Sequence, residues 1–490
     1  MRGPGVTFMG QLFGTDGVRG VAGTDLDARL AMDLAVATAD VLGRTGAFAA
    51  ARSANRRAIA VIGRDPRVSG EFLEAAVVAG LAGSGVDVLR LGVVPTPAVA
   101  HLTARLGAEF GVMLSASHNP APDNGIKFFA SGGTKLPDEV EAEIEDLLTA
   151  TAVRGTVPDT GFGRVTDAAS EAEHYLEHLL ATVGVTAPAA ATTASPAGST
   201  APAAAASPEA GGAGPLAGMR IVVDCAHGSA YRLGPRLLRA AGAMVFPIGV
   251  DPDGTNINAG CGSTDLDALQ AEVAGHGADA GIAFDGDADR CLAVDADGEV
   301  IDGDQILTIL ALALKESGRL VGDTVVTTVM SNLGFRLAMR QEGISVVETP
   351  VGDRCLIAAM LAGGHVLGGE QSGHVIMLDH ARTGDGMLTG LQLLAVAART
   401  GQPLAKLAGA MAKYPQVLVN VRGVDKAKVA TSDRLHLAVA AAKAELGASG
   451  RVLVRPSGTE PAFRVMVECV DSGRAHAVAD RLADVVRSAG

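Results

Sequence analysis

Three times along this 490-residue chain, a short apolar run ends in a polar loop punctuated by glycine. The loops are residues 115–125 after Glu109-Phe-Gly-Val-Met-Leu114, 285–290 after Ala280-Gly-Ile-Ala-Phe284, and 369–374 after His365-Val-Leu-Gly368. Helical patterns, such as those expected over 70–84, 229–241 and 305–317, separate the apolar runs, which is the signature of α/β units. Ligands of such sheets bind beyond the carboxyl ends of the strands. The repetition therefore predicts three similar mixed-sheet α/β domains whose loops converge on a central cleft. After residue 413 the pattern changes to strands near 416–421, 451–455 and 463–468 with helices between and after, predicting a smaller C-terminal α+β domain. The expected boundaries are 1–160, 161–304, 305–413 and 414–490.

Residues 187–218 break the pattern. They are low-complexity Pro, Ala, Ser, Thr and Gly, expected as a flexible surface insertion without catalytic role. With 40 Lys and Arg against 54 Asp and Glu, the net charge is −14. That argues against nucleic acid or an anionic membrane as partner. Aromatics are 3% of residues and Trp is absent, which suits helix–sheet interiors better than an aromatic-rich binding surface. The five cysteines contain no C-x-x-C, and neither a disulfide framework nor a zinc knuckle can be read from them. No apolar run reaches the ~20 residues of a membrane span, and residues 1–20 hold no signal-peptide core. A cytoplasmic protein is the expectation.

The strongest chemical signal is Asp285-Gly-Asp287-Ala-Asp289-Arg290. Alternating carboxylates at the end of a strand repel one another unless they share a hard cation, and oxygen-only ligands select Mg²⁺, Ca²⁺ or Mn²⁺. An EF-hand would need Gly at loop position 6 and Glu at position 12, where this chain has Arg290 and Ala296. Arg290 instead suggests an anion beside the metal. In Ser115-Ala-Ser117-His118-Asn119-Pro120, Ser117 next to an imidazole reads as a nucleophile, and a nearby divalent cation makes phosphoryl transfer its chemistry. Lys127, on an expected strand at 125–129, is a candidate acid/base near a sugar hydroxyl. Glu370, Ser372 and His374 offer a carboxylate, a hydroxyl and an imidazole suited to vicinal sugar hydroxyls. In Arg455-Pro-Ser457-Gly458-Thr459, with Arg464 following, two hydroxyls, a backbone nest and two guanidiniums form an expected phosphate cradle. Two motifs are decoys. His174-x-x-Glu177-His178 matches a zinc-peptidase pattern, but its helix leads into the insertion and lacks a downstream ligand. Gly275-x-Gly277-x-x-Ala280 stands at a helix end before a strand, the reverse of dinucleotide order.

Taken together, the serine loop, triple-Asp loop, Glu-x-Ser loop and C-terminal phosphate loop, opened by Phe13-Gly-Thr-Asp-Gly-Val-Arg19, resemble the α-D-phosphohexomutase superfamily. Ser-Ala-Ser-His-Asn-Pro, Gly-Gly-Glu-Gln-Ser-Gly-His and Arg382-Thr-Gly-Asp-Gly386 are similar to its amino-sugar branch. The insertion departs from the pattern, and so does His227, where relatives usually carry Asn. The resemblance implies an isomerase interconverting glucosamine 6-phosphate and glucosamine 1-phosphate for amino-sugar and cell-wall precursor synthesis. Ser117 would carry a phosphoryl group, with Mg²⁺ held by Asp285, Asp287, Asp289 and the phosphoserine. Glu370, Ser372, His374 and Arg290 would bind the sugar, and Arg455, Ser457, Gly458, Thr459 and Arg464 its phosphate. Lys127 and His118 would move protons, and Arg19 would stabilise charge. Glucosamine 1,6-bisphosphate or glucose 1,6-bisphosphate would be the activator, and the protein a monomer or homodimer. Two alternatives stay open: a mutase acting mainly on mannose or glucose phosphates, and a non-catalytic sugar-phosphate sensor.

Overall fold

The computed structural model describes residues 12–14, 16–150, 161–185, 212–456 and 462–490. The chain divides into two compact units, residues 1–329 with 347–408 and residues 330–346 with 409–490.

The first unit contains α/β sheets built on one plan. In the six-stranded sheet the order is Val18–Val21, Asp123–Ala130, Phe110–Leu114, Ile59–Arg64, Asp87–Val93, Val165–Asp167. Ile59–Arg64 lies parallel to both Phe110–Leu114 and Asp87–Val93, whereas Asp123–Ala130 returns antiparallel to Phe110–Leu114. The five-stranded sheet repeats this. Arg220–Asp224 runs parallel to Met244–Ile248 and to Ala280–Phe284, and Cys291–Asp295 returns antiparallel. In the four-stranded sheet, Thr324–Thr328 is parallel to Leu367–Gly369, and Val375–Met377 returns antiparallel. Phe110–Leu114, Ala280–Phe284 and Leu367–Gly369 are buried at every residue, as strands covered on both faces must be. Each functional loop is thus the turn between a buried parallel strand and its antiparallel return. That hairpin geometry holds both ends of the loop in the ladder.

The helices Ala28–Arg44, Asp138–Ala150 and Gly386–Thr400 went unread in the sequence. Gly386–Thr400 is buried on almost all sides, so it carries no polar stripe to mark its period. Asp385 caps it through Leu388 N, and Gly386 N donates to Ala288 O at 2.9 Å. The helix start therefore abuts the triple-Asp loop.

Two expectations are corrected. The helix expected at 229–241 begins only at Leu233. Before it, Ala226 and His227 adopt positive φ (55° and 46°), in a turn fixed by Asp224, whose carboxylate accepts from Ala226 N and Gly262 N. The insertion is also shorter than read. Residues 186–211 lie outside the described residues, but at 212–218 Leu216 is fully buried and its N–H donates to Ala241 O. Leu216 is the one large aliphatic side chain in that run, and burying it anchors the segment.

The second unit is α+β. Its antiparallel sheet, ordered Gln416–Arg422, Ala462–Cys469, Gly450–Pro456, is covered by helices Asp433–Leu446 and Ser472–Ala489. Val465, Val467, Leu482 and Val486 fill its core. Among the described residues no helix is long and apolar enough to cross a membrane.

Candidate active site

Ser117 sits in the left-handed region at φ 53° and is 1% exposed, a conformation a non-glycine residue keeps only when its surroundings impose it. The fully buried Arg67 imposes it. Its guanidinium donates to Asp65 Oδ2 (2.9 Å) and to the carbonyls of Ser117 (3.1 Å), Asn119 (2.7 Å), Pro120 (2.5 Å) and Asp123 (3.0 Å). Asn258, in the turn that follows the strand Met244–Ile248, donates to the Ser117 and Asn119 carbonyls at 3.0 and 3.1 Å. Ser115 Oγ donates to Asp65 Oδ2 at 2.6 Å and accepts from Ser117 N at 2.9 Å. None of Arg67, Asp65 or Asn258 was picked out from the sequence. Residues that act on backbone carbonyls leave no motif of residue types.

Ser117 Oγ donates to Asp285 Oδ2 at 2.5 Å. This contact is possible because residue 286 is glycine: a Cβ there would stand 2.5 Å from the Ser117 carbonyl. Asp285, Asp287 and Asp289 are buried and offer ligand atoms all within 4.8 Å of one another. Oδ1 of Asp287 and Oδ1 of Asp289 are buried and accept no hydrogen bond among the described residues. Burial and its two carboxylate neighbours push Asp285 well above the usual carboxylate range. Burial opposes charge on Asp289 too, but His374, Lys127 and Arg290 outweigh it and hold that carboxyl low. A compact, buried all-oxygen set with free lone pairs fits a hard divalent cation.

Lys127 and Arg19 join this cluster. Lys127 Nζ lies 2.7 Å from Asp287 Oδ2 and 2.8 Å from Asp16 Oδ2, and Thr96 Oγ1 donates to the same Asp287 oxygen at 2.6 Å. Burial disfavours the ammonium, but Asp16 and Asp287 overcome it and raise the lysine's pKa above its ordinary value. Arg19 pairs with Asp16. His118 Nδ1 is 3.3 Å from Ser117 Oγ. Burial, then Arg290 and Arg19, lower its pKa to about 4, so its ring is neutral at pH 7. Sequence reading assigned nothing to Asp16 or Thr96, although Asp16 lies inside the run ending at Arg19.

The Glu370 loop is more open. Glu370 Oε1 accepts from Gly352 N at 3.3 Å and Oε2 from Ser372 Oγ at 3.4 Å. His374, buried beneath it, stands 3.6 Å from Asp289 Oδ2. Burial works against its charge, but Asp289 raises the imidazole to about 9. The His374 ring packs on Gly384, where a Cβ would be 2.3 Å from Cε1, giving the 382–386 motif a steric reason. Arg290 N donates to Asp285 Oδ1 at 3.2 Å, with its side chain 3.9 Å from Asp289. In the second unit Arg455 and Arg464 are direct partners across adjacent strands. Ser457, Gly458 and Thr459 lie outside the described residues. The zinc-peptidase decoy is used otherwise: His178 stacks on His101 at 4.3 Å and bonds the His380 carbonyl, while His174 pairs with Glu177.

A buried carboxylate cage in contact with a buried lysine and a buried serine can support phosphoryl transfer. Models of the phosphoglucomutase/phosphomannomutase family match the chain as alpha/beta/alpha domain I at residues 10–154, domain II at 207–298, domain III at 302–414 and the C-terminal domain at 418–485. The chain belongs to this family, the α-D-phosphohexomutases, and is an isomerase. It is 59% identical over 479 residues to a phosphoglucosamine mutase of Thermobifida fusca, covering 98% of both chains. It is 57% identical over 484 residues to one of Streptomyces griseus, covering 98% of this chain and all of that one. Among solved structures, a phosphoglucomutase/phosphomannomutase family protein of Burkholderia thailandensis matches with a TM-score of 0.76 at 23% identity, covering 98% of this chain and 97% of that one.

Proposed function

We propose that this enzyme interconverts glucosamine 6-phosphate and glucosamine 1-phosphate through a phosphoserine at residue 117 and a bound 1,6-bisphosphate. The observation that carries the mechanism is Ser117 Oγ, buried and 2.5 Å from Asp285 in the triad. The relatives at 57–59% identity support the amino-sugar substrate. Mg²⁺ bound by Asp285, Asp287 and Asp289 would supply a fixed counter-charge to the phosphoryl oxygens. The site residues do the rest. Phosphoserine 117 gives its phosphoryl group to the C1 hydroxyl of the 6-phosphate, the Oγ–P bond breaking as the O1–P bond forms. The resulting bisphosphate turns over, and Ser117 Oγ takes the phosphoryl group from O6.

Lys127, held charged between Asp16 and Asp287, steadies the moving group as a fixed cation, and its raised pKa makes it slow to give up its proton. The neutral His118 Nδ1 is the acceptor within reach of Ser117 Oγ. Arg19 and Arg290 add positive charge, Glu370 and Ser372 hold sugar hydroxyls, and Arg455 and Arg464 hold the distal phosphate.

A panel of glucosamine, glucose and mannose 6-phosphates, run with a bisphosphate activator, tests the substrate. Turnover is expected to be greatest with glucosamine 6-phosphate, and a preference for mannose would overturn the assignment. Ser117→Ala is expected to lower turnover by at least about 10³-fold without loss of fold.

A further inference from the structure

A continuous line of contacts joins the Glu370 loop to Lys127 and the triple-Asp loop through Asp353, Lys135 and Asp16, to which no catalytic role was given above. Glu370 accepts from Gly352 N, directly before the helix Asp353–Gly363. Asp353 Oδ2 lies 2.7 Å from Lys135 Nζ, and Lys135 also pairs with Asp16. Asp16 in turn holds Lys127, and Lys127 holds Asp287. Three carboxylates and two ammoniums alternate, each ammonium shared between two carboxylates. The Lys135 and Asp353 side chains are only 12% exposed, so water screens this line weakly.

Lys135 stands on a rigid base. The turn before it closes through Ala130 N to Thr134 O at 2.7 Å and Gly133 N to Ala130 O at 2.8 Å. Gly133 has φ 76°, and a Cβ there would be 2.3 Å from the Ala100 carbonyl. The turn is pressed against the helix Thr96–Arg105, whose first residue, Thr96, itself bonds Asp287. Lys135 is therefore fixed in the frame of the serine and metal loops, and reaches out from it to the helix that bears on Glu370.

We infer that Lys135 is a positioning residue that sets the Glu370 loop in register with Ser117 and Lys127 by clamping Asp353 to Asp16. This rests on the reading of Glu370 as a ligand of the sugar hydroxyls. A clamp of this kind bears on how substrate is held more than on the transfer itself, because Lys127 keeps Asp287 and Asp16 when Lys135 is lost.

The test uses the full-length enzyme with Mg²⁺. Lys135→Met, which keeps the stem and removes the charge, is expected to raise KM for glucosamine 6-phosphate about tenfold with kcat lowered less than about threefold. Phosphorylation of Ser117 by glucose 1,6-bisphosphate should be unchanged. Lys135→Arg should restore KM to within about threefold of wild type, and Lys135→Met with Asp353→Asn should be no worse than Lys135→Met alone. An unchanged KM in folded Lys135→Met, or additive effects in the pair, would overturn the clamp. If Lys135→Met does not fold, Asp353→Asn decides, with the same KM rise expected and an unchanged KM overturning it. Glu370→Gln separates the two readings. If it raises KM while Lys135→Met does not, only the clamp fails; if it leaves KM unchanged, the sugar-binding reading fails first.

Discussion

The Ser117 loop is fixed by four bonds from the buried Arg67 guanidinium and two from Asn258, whereas among the described residues the side chains of Glu370 and Ser372 make only two long contacts, of 3.3 and 3.4 Å. The difference matches two tasks. Phosphoryl transfer needs its oxygens and counter-charges placed before substrate arrives, since reorganisation during the reaction would cost rate. Sugar recognition, the role proposed for Glu370 and Ser372, would serve two orientations of one bisphosphate, for which groups with hydrogen-bonding capacity in reserve are suited. The strain at Ser117 and the repulsion among the Asp residues lie on the first side of this contrast, where Arg67, Asn258 and Lys127 offset them.

Breaking the rigid side should have the largest effect. Arg67→Met removes every guanidinium bond to the loop and leaves Asp65 buried without its partner, a loss expected to cost about 3–5 kcal/mol in chemical denaturation. Turnover should fall about 100-fold or more with little change in KM, because Ser117 would relax from its left-handed conformation. Arg67→Lys should rescue poorly, since an ammonium cannot fork to five acceptors. A variant of near-normal stability and turnover would show that the loop holds itself. On the open side, Glu370→Gln should leave stability within about 0.5 kcal/mol of wild type, which urea titration can check.

A smaller, pH-dependent effect is expected beside the site. Burial and the neighbouring His178 lower His101 to about 4. Below pH 6.5 the unfolded chain takes up a proton that the folded one refuses until about pH 4, so stability is lost as pH falls through that window. His101→Gln should flatten the fall of Tm between pH 6.5 and 4, and an unchanged slope would refute this. Smallest of all, His227→Asn should raise Tm slightly. At φ 46°, Asn is the better-suited residue, and a lower Tm would mean that the Asp251 N–H bond to the His227 ring outweighs the backbone preference.

How far the sequence could be read follows from what each residue acts on. The Asp triplet was legible as a cluster able to hold a cation, because alternating carboxylates at a strand end are unusual; the roles of Ser117 and Glu370 rest on the proposal above. The central strands were legible as unbroken apolar runs. The antiparallel return strands Cys291–Asp295 and Val375–Met377 were not, being too short to show alternation, nor was the helix Gly386–Thr400, buried all round. Arg67, Asn258, Asp16 and Lys135 escaped because they act on backbone carbonyls or on partners brought near only by the fold.

The central claim is that Ser117 carries the phosphoryl group between substrate orientations. Incubation with ³²P-labelled glucose 1,6-bisphosphate, followed by peptide mapping, tests it most directly. Label is expected on the peptide containing Ser117 and should leave on addition of glucosamine 6-phosphate. Label on another residue, or label that stays through turnover, would contradict the account.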